Sequence, residues 1–362
     1  MPDELSKFFV PGPTWVRPEI LAEMTRPMIG HRSGEFKEMF RALLIDVKSL
    51  FLTQQHAYVV TSSGTGMLEG ALINCVPRRV LVTTCGAFSE RWLDIAQKLG
   101  IEADRLEHQW GKPVDPQRLA DHFRGRRHHY DAVTLTHNET STGVLNDLET
   151  LAQVVHDESK DTLVLVDAVS SLGAAPVRFD DWKLDVCLAS TQKGLALPPG
   201  LTVVAVSDRA LEFAARKPYR GTYFDFLDFE AQARKDGPPF TPSIPHCYAL
   251  ALQLEHILRG ETLERRWARH REMRDLTLAR TSRYANPMVE LDHASVSVSA
   301  IAPRGGEGKS APAIVSAMKA RGYVLGSGYG DWKETSFRIG HMGDISIQSL
   351  KAMLDVLDEV AG

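Results

Sequence analysis

Two ionisable side chains in this sequence stand at the ends of apolar runs, where a charge is expensive. Leu163-Val164-Leu165-Val166 leads into Asp167, and Leu188-Ala189 leads through Ser190-Thr191-Gln192 to Lys193. A lysine in a buried turn is partly desolvated, which lowers its pKa toward that of a nucleophilic amine. A carboxylate closing a buried strand needs compensation, so Asp167 caps a helix, pairs with a structural arginine or faces a cationic ligand. The two positions are 193 − 167 = 26 residues apart, on successive predicted strands. Two further segments carry recognition chemistry. Thr61-Ser62-Ser63-Gly64-Thr65-Gly66 is made of small residues ahead of an apolar helix. Such a turn lets backbone N–H groups approach an anion, or serves only as a capped strand-to-helix turn. Arg338, in Phe337-Arg338-Ile339-Gly340-His341-Met342-Gly343, suits bidentate capture of a carboxylate or an interdomain salt bridge.

These residues need a scaffold, and the surrounding pattern predicts one. Short β-branched runs at 57–60, 79–84, 131–136, 162–167, 185–190 and 201–207 alternate with helical spacing at 66–73, 90–99, 116–123 and 148–157. Strand–helix alternation predicts an α/β fold with a mostly parallel sheet between two layers of helices. Ligands collect at the carboxyl ends of such strands, which is where Ser63, Asp167 and Lys193 fall. Over 226–245 the pattern breaks down around Asp236-Gly237-Pro238-Pro239, which predicts an exposed or interface segment. A charged helical stretch over 261–283 reads as a solvated connecting helix. Residues 286–362 have the strand–helix–strand–helix character of a small α/β domain. The expected division is an N-terminal arm over 1–14, a large domain over 15–260 and a small domain over 261–362.

Composition narrows the class of partner. The 362 residues exceed what one core usually organises. With 43% hydrophobic and 24% charged residues the chain reads as an ordinary soluble globular protein. A net charge of −4 offers no single-sign field for nucleic acid, and no apolar run is long enough for a membrane span. The four cysteines form no CxxC pair, which suits a reducing, cytoplasmic setting. Gly305-Gly306-Glu307-Gly308-Lys309-Ser310 ends like a phosphate-binding loop but has Pro303 where its first glycine is needed. A nucleotide-binding module around Lys309 is the non-enzyme alternative. His137-Asn138-Glu139 lacks the PCxxC partner of a zinc deaminase, and Gly326-Ser327-Gly328-Tyr329-Gly330 reads as a loop.

An anion cup, a buried acid, a turn lysine and a carboxylate fork together are what pyridoxal phosphate chemistry requires. The sequence resembles the class V aminotransferases of fold type I, most of all the alanine–glyoxylate and serine–glyoxylate (serine–pyruvate) group. The resemblance runs in order through Pro11-Gly12-Pro13-Thr14, Pro27-Met28-Ile29-Gly30-His31-Arg32, Ser63-Gly64-Thr65-Gly66 and Glu139-Thr140-Ser141-Thr142-Gly143. It continues through Val166-Asp167-Ala168-Val169-Ser170, Gln192-Lys193, Pro198-Pro199-Gly200 and Arg338-Ile339-Gly340-His341-Met342-Gly343.

The resemblance implies a large domain with a mostly parallel sheet, a small C-terminal α/β domain and pyridoxal 5′-phosphate as cofactor. Lys193 is similar to the Schiff-base lysine and proton shuttle, and Asp167 to the partner of the pyridinium nitrogen. Ser63, Gly64, Thr65 and Gln192 match the phosphate site, and Thr140 a hydroxyl contact. Phe88 matches a stacking position where many relatives have Trp or Tyr. Thr241 matches a residue that reaches the other subunit's phosphate, which implies a homodimer, although the tyrosine some relatives carry just before it is replaced by Pro238-Pro239. Arg338 is implied as the clamp on the substrate α-carboxylate. The implied reaction exchanges an amino group between a small L-amino acid, serine or alanine, and glyoxylate or pyruvate. Alternatives within the fold are an aspartate-type aminotransferase, for which Arg32 would read a second carboxylate, and a cysteine desulfurase or lyase, although Gln192 stands where desulfurases place His and Cys247 reads as a buried structural thiol.

Overall fold

Alternate side chains of the predicted strands feed two different cores. In the computed structural model, which describes residues 6–126, 128–304 and 309–362, seven strands form one sheet. Their order across it is His56–Thr61, Leu201–Val206, Val186–Ser190, Leu163–Asp167, Ala132–Thr136, Arg79–Thr84 and Glu102–Glu107. Leu201–Val206 runs antiparallel to both neighbours, and the other pairings are parallel. Val59, Leu81, Val133, Val164, Val166 and Val203 face one core with the helices Gly34–Phe51, Leu148–Glu158 and Ile244–Glu255. Val60, Val80, Val82, Leu163, Leu165 and Val204 face the other, with Gly64–Cys75 and Ala87–Lys98. Burial on both faces is why these strands read as continuous apolar runs. Glu102–Glu107 escaped the sequence reading because it is an exposed edge with one buried residue, Leu106.

Register brings the chemistry to one rim. Thr136 and Asp167 pair at the ends of their strands, while Leu188, opposite Asp167, lies two residues before Ser190, where the next strand ends and the Lys193 turn begins. A second, five-stranded sheet with its own core forms a smaller unit, the small domain, in the order Phe8–Phe9, Val324–Ser327, Phe337–Gly340, Val298–Pro303 and Ala285–Pro287, so Phe8–Phe9 of the expected N-terminal arm pairs into it. Arg338 therefore comes from a central strand of a separate sheet.

Two expectations need correction. Over 226–245 the chain is not all loop: Phe226–Ala233 is a helix, and Phe226 and Phe229 are buried in the large-domain core. Two apolar anchors over two turns give too little periodicity to show in sequence. The charged helix, Leu263–Thr281, is not simply solvated either. Arg266 is 2% exposed, and Trp267, His270 and Met273 are buried beside it.

Arg266 is the hub of a buried ionic network that joins the domains. Its guanidinium pairs with Asp344 at 2.9 Å and Glu261 at 2.8 Å, and donates to the Gly194 carbonyl at 2.8 Å. Arg17 and Gln253 bind the other face of Asp344 at 2.7 and 3.0 Å. The small domain is thus tied to the turn that bears Lys193. Removing one member of a buried pair leaves its partner uncompensated. Asp344→Ala should cost about 3 kcal/mol of stability, measured as an earlier midpoint in urea unfolding. An unchanged midpoint would mean that the network is energetically idle.

Candidate active site

At the carboxyl ends of the central strands lies an open cleft of about 680 Å³. Ser63, Gly64, Thr65, Phe88, Thr140, Asp167, Gln192 and Lys193 all line it, together with Gly12, Arg91 and Asn138. Eight of the ten residues singled out from sequence therefore meet in one place. Lys193 is buried, and its ammonium donates to the Pro11 carbonyl and lies 5.6 Å from the centre of the Phe88 ring. Burial, reinforced by the charges of Arg338 and Arg91, brings its pKa down to about 8. Asp167 accepts a hydrogen bond from the Val169 amide at 2.8 Å. Burial, with Glu139 nearby, pushes its carboxyl up to about 6, against that amide and the Lys193 and Arg91 charges.

The cup is built on a helix start. Ser63 caps Gly64–Cys75 by accepting from the Gly66 amide at 3.2 Å, and the first N–H groups of a helix have no partner within it. A Cβ on Gly64 would come within 2.9 Å of Val169 and 3.0 Å of the Ser190 hydroxyl, so any side chain there would crowd the cup. Ser190 Oγ, Gln192 Oε1 and Asn138 Oδ1 are buried without a hydrogen-bond partner. Unpartnered polar atoms, free helix amides and a carboxylate needing a cation fit a flat ligand with an anionic arm and a protonated ring nitrogen. Pyridoxal 5′-phosphate has that character.

Arg338 stands at the rim. Its Nε donates to the Ser327 carbonyl at 2.9 Å and its Nη1 to the Thr140 carbonyl at 3.1 Å, while burial draws its pKa down. Thr140 Oγ1 donates to Ser170 Oγ at 2.7 Å, so the threonine is held from both sides. Thr241 is not in this cleft. It is exposed, beside Tyr223 and Pro238–Phe240, in a separate hollow at the end of the edge strand His56–Thr61. Arg32 is likewise exposed and outside the cleft. Of the phosphate-loop alternative, Gly305–Gly308 lies outside the described residues; Lys309 donates to the Val360 carbonyl at 2.8 Å. Cys247 is buried, and burial pushes its thiol up to about 12, which removes the thiolate a desulfurase needs. Among the described residues no group of three or more His, Cys, Asp or Glu is spaced to hold a metal ion, and no helix is long and apolar enough to cross a membrane.

Sequence reasoning missed four contributors. Arg91 lies one helical turn after Phe88, 4.9 Å above its ring, and donates to Thr65 Oγ1 at 3.0 Å. The i, i+3 spacing of an aromatic and an arginine behind a glycine was a usable signal. Glu139 is fully buried and accepts from the Phe88, Ser89 and Ser141 amides, so it positions Phe88. Asn138 donates to Ser170 Oγ at 2.8 Å. Gly12, at φ +108°, packs so closely that a Cβ would sit 2.4 Å from Lys193 Cδ.

Known proteins resemble the chain over nearly its whole length. The family model for aminotransferase class-V matches residues 19–317. A protein named soluble hydrogenase, small subunit, from Synechococcus sp. is 36% identical over 97% of this chain and 91% of its own length. The serine–glyoxylate aminotransferase of Methylorubrum extorquens is 33% identical over 94% of this chain and 87% of its own. The solved subgroup IV aspartate aminotransferase from Thermus thermophilus is 31% identical, with a TM-score of 0.89 over 98% of this chain and 100% of that one. The chain belongs to the class-V aminotransferases. It is an enzyme of the transaminase type with their α/β fold, and the non-enzyme reading around Lys309 falls away.

Two outcomes follow from the lysine's surroundings. Because only the neutral amine reacts, acylation of Lys193 in cofactor-free protein should rise with pH up to about 8 and then level off. Peptide mapping after labelling would read this, and a rate still climbing above about pH 9 would show an ordinary lysine. Gly12→Ala combines a clash with a left-handed backbone, a strain of about 1–3 kcal/mol. It should cut Lys193 labelling by at least about tenfold while the protein stays folded; parent-like labelling would show that the approach is not limiting.

Proposed function

We propose that this enzyme uses pyridoxal 5′-phosphate to move an amino group from a small L-amino acid, serine or alanine foremost, to glyoxylate or pyruvate. The reading rests on one observation above others: the buried amine of Lys193 and the buried carboxyl of Asp167 line one cleft with the Ser63-Gly64-Thr65 helix start and the unpartnered polar atoms of Ser190 and Gln192. Relatives named for serine–glyoxylate, aspartate–glyoxylate and alanine–glyoxylate exchange support glyoxylate as acceptor. The name aspartate aminotransferase carried by the Thermus relative favours aspartate as a second donor to test. The large domain over 15–260 would carry the cofactor site, and the small domain over 261–362 the carboxylate clamp.

The chain's own groups divide the work. Ser63, Gly64, Thr65 and Gln192 would hold the phosphate, Phe88 would cover one ring face and Thr140 would border the ring. Asp167 would face the ring nitrogen and keep it protonated. When bound, the cofactor supplies a carbonyl for the amino group and an electron sink for the Cα bonds. Lys193 would hold it covalently and, once released, carry the proton to and from Cα. Arg338, anchored through Nε and one Nη1 hydrogen, keeps an Nη edge for the α-carboxylate that donor and acceptor share.

A homodimer is part of the same proposal. Thr241 sits outside its own chain's cleft in an apolar hollow where Tyr223 and Phe240, both exposed, stack at 5.0 Å. A second copy covering that surface could take Thr241 into its phosphate site. Four free, buried cysteines suit a cytoplasmic enzyme.

Half-reactions followed by the cofactor band, with L-serine, L-alanine and L-aspartate against glyoxylate and pyruvate, test the proposal. Arg338→Lys should lose about 2–5 kcal/mol in kcat/KM for donor and acceptor alike while keeping the band. Selective loss of the cofactor, or parent-like rates, would remove Arg338 from the clamp. Asp167→Asn should lower kcat by several orders of magnitude; a loss under about tenfold would make Asp167 structural.

A further inference from the structure

The turn dismissed in sequence as a glycine-rich loop carries a tyrosine at the mouth of the cleft. The Tyr329 ring lies 5.3 Å from the Phe88 ring, and the Arg338 guanidinium lies 5.3 Å from the centre of the same tyrosine ring. One side chain of the small domain therefore touches both the arginine of the carboxylate clamp and the aromatic cover contributed by the large domain. The turn is fastened in that position. Trp332 packs edge-on against Trp110 of the large domain at 5.6 Å. Gly330, at φ +51°, comes so close to Trp110 that a Cβ would lie 2.7 Å from its ring. The Gly328 amide donates to the Ser336 carbonyl at 3.0 Å, closing the turn on itself. Tyr329 nevertheless remains 37% exposed, so one part of it borders open space rather than core.

We propose that Tyr329 is a specificity-determining residue, the wall of the substrate subsite between Arg338 and Phe88 that admits short side chains and rejects long ones. The inference rests on the reading of Arg338 as the α-carboxylate clamp. A carboxylate on Arg338 brings its Cα next to the ring that packs on that guanidinium, and the Trp332–Trp110 contact holds the turn that carries the ring. Each further methylene then meets a fixed aromatic surface. Discrimination of one methylene by a rigid apolar wall is worth about 10–200-fold. Opening the wall should flatten that dependence, and keeping the ring without its hydroxyl should preserve it.

The experiment uses holoenzyme and straight-chain substrates, so that length alone varies. Single-turnover rates with L-alanine, L-2-aminobutyrate and L-norvaline would be compared for the parent, Tyr329→Phe, Tyr329→Leu and Tyr329→Ala. The norvaline-to-alanine ratio should be low in the parent and in Tyr329→Phe, and should rise at least about tenfold in Tyr329→Ala, with Tyr329→Leu between. A uniform loss with an unchanged ratio would overturn the proposal and leave Tyr329 as a support for Arg338. Dissociation constants for propionate, butyrate and pentanoate, read from tryptophan fluorescence, give a second measure that needs no turnover. If the parent turns over none of the amino acids, the functional reading fails, yet these constants still decide the wall. A length penalty that disappears in Tyr329→Ala supports it, and one shared by parent and variant overturns it.

Discussion

An amine and a carboxyl of opposite preference are taken out of water on one rim of the sheet and kept from pairing with each other. Asp167 ends a strand in register with its neighbours, and Lys193 follows the adjacent strand by a short turn, so backbone pairing sets their separation. Burial drives one pKa up to about 6 and the other down to about 8, which narrows the gap between them. Both line the same cleft, and among the described residues no salt bridge links them. The rest of the site serves this arrangement. Gly12 leaves room for the lysine's stem, Gly64 leaves room in the cup, and Glu139 fixes the start of the helix that carries Phe88 and Arg91.

A second constraint is the junction of the domains. Arg266 touches Asp344 of the small domain and the carbonyl of Gly194, one residue from the lysine. Arg338, from the second sheet, donates to the carbonyl of Thr140, which lines the cleft. Contacts from the second sheet unit thus reach both the turn that bears Lys193 and the cleft lining at Thr140. Ionic and backbone contacts of this kind depend on geometry more than on area, so small displacements of the domains would be felt at Lys193 and Arg338 alike.

The fold was largely legible because its central strands are buried on both faces. Runs such as 162–167 and 185–190 carry a strong signal, and the observed strands Leu163–Asp167 and Val186–Ser190 fall within them. The edge strand Glu102–Glu107 and the short helix Phe226–Ala233 were not legible, since one buried residue or two give no period. The candidate site residues at the strand ends, which line one cleft, were legible for the same reason. Those that act by closeness were not: Gly12 matters through an absent side chain, and Arg266 reads as one charge among many until Asp344 and Gly194 are beside it. Thr241 shows the opposite case, a position chosen by resemblance that its own chain leaves outside the cleft.

The central claim is that the amine of Lys193 is where the cofactor joins the chain. Reduction of the purified holoenzyme with borohydride, followed by digestion and mass mapping, tests it most directly. The account predicts a pyridoxyl-phosphate adduct on the peptide containing Thr191-Gln192-Lys193-Gly194 and on no other lysine. An adduct on a different lysine, or a reduced protein that carries none, would contradict it.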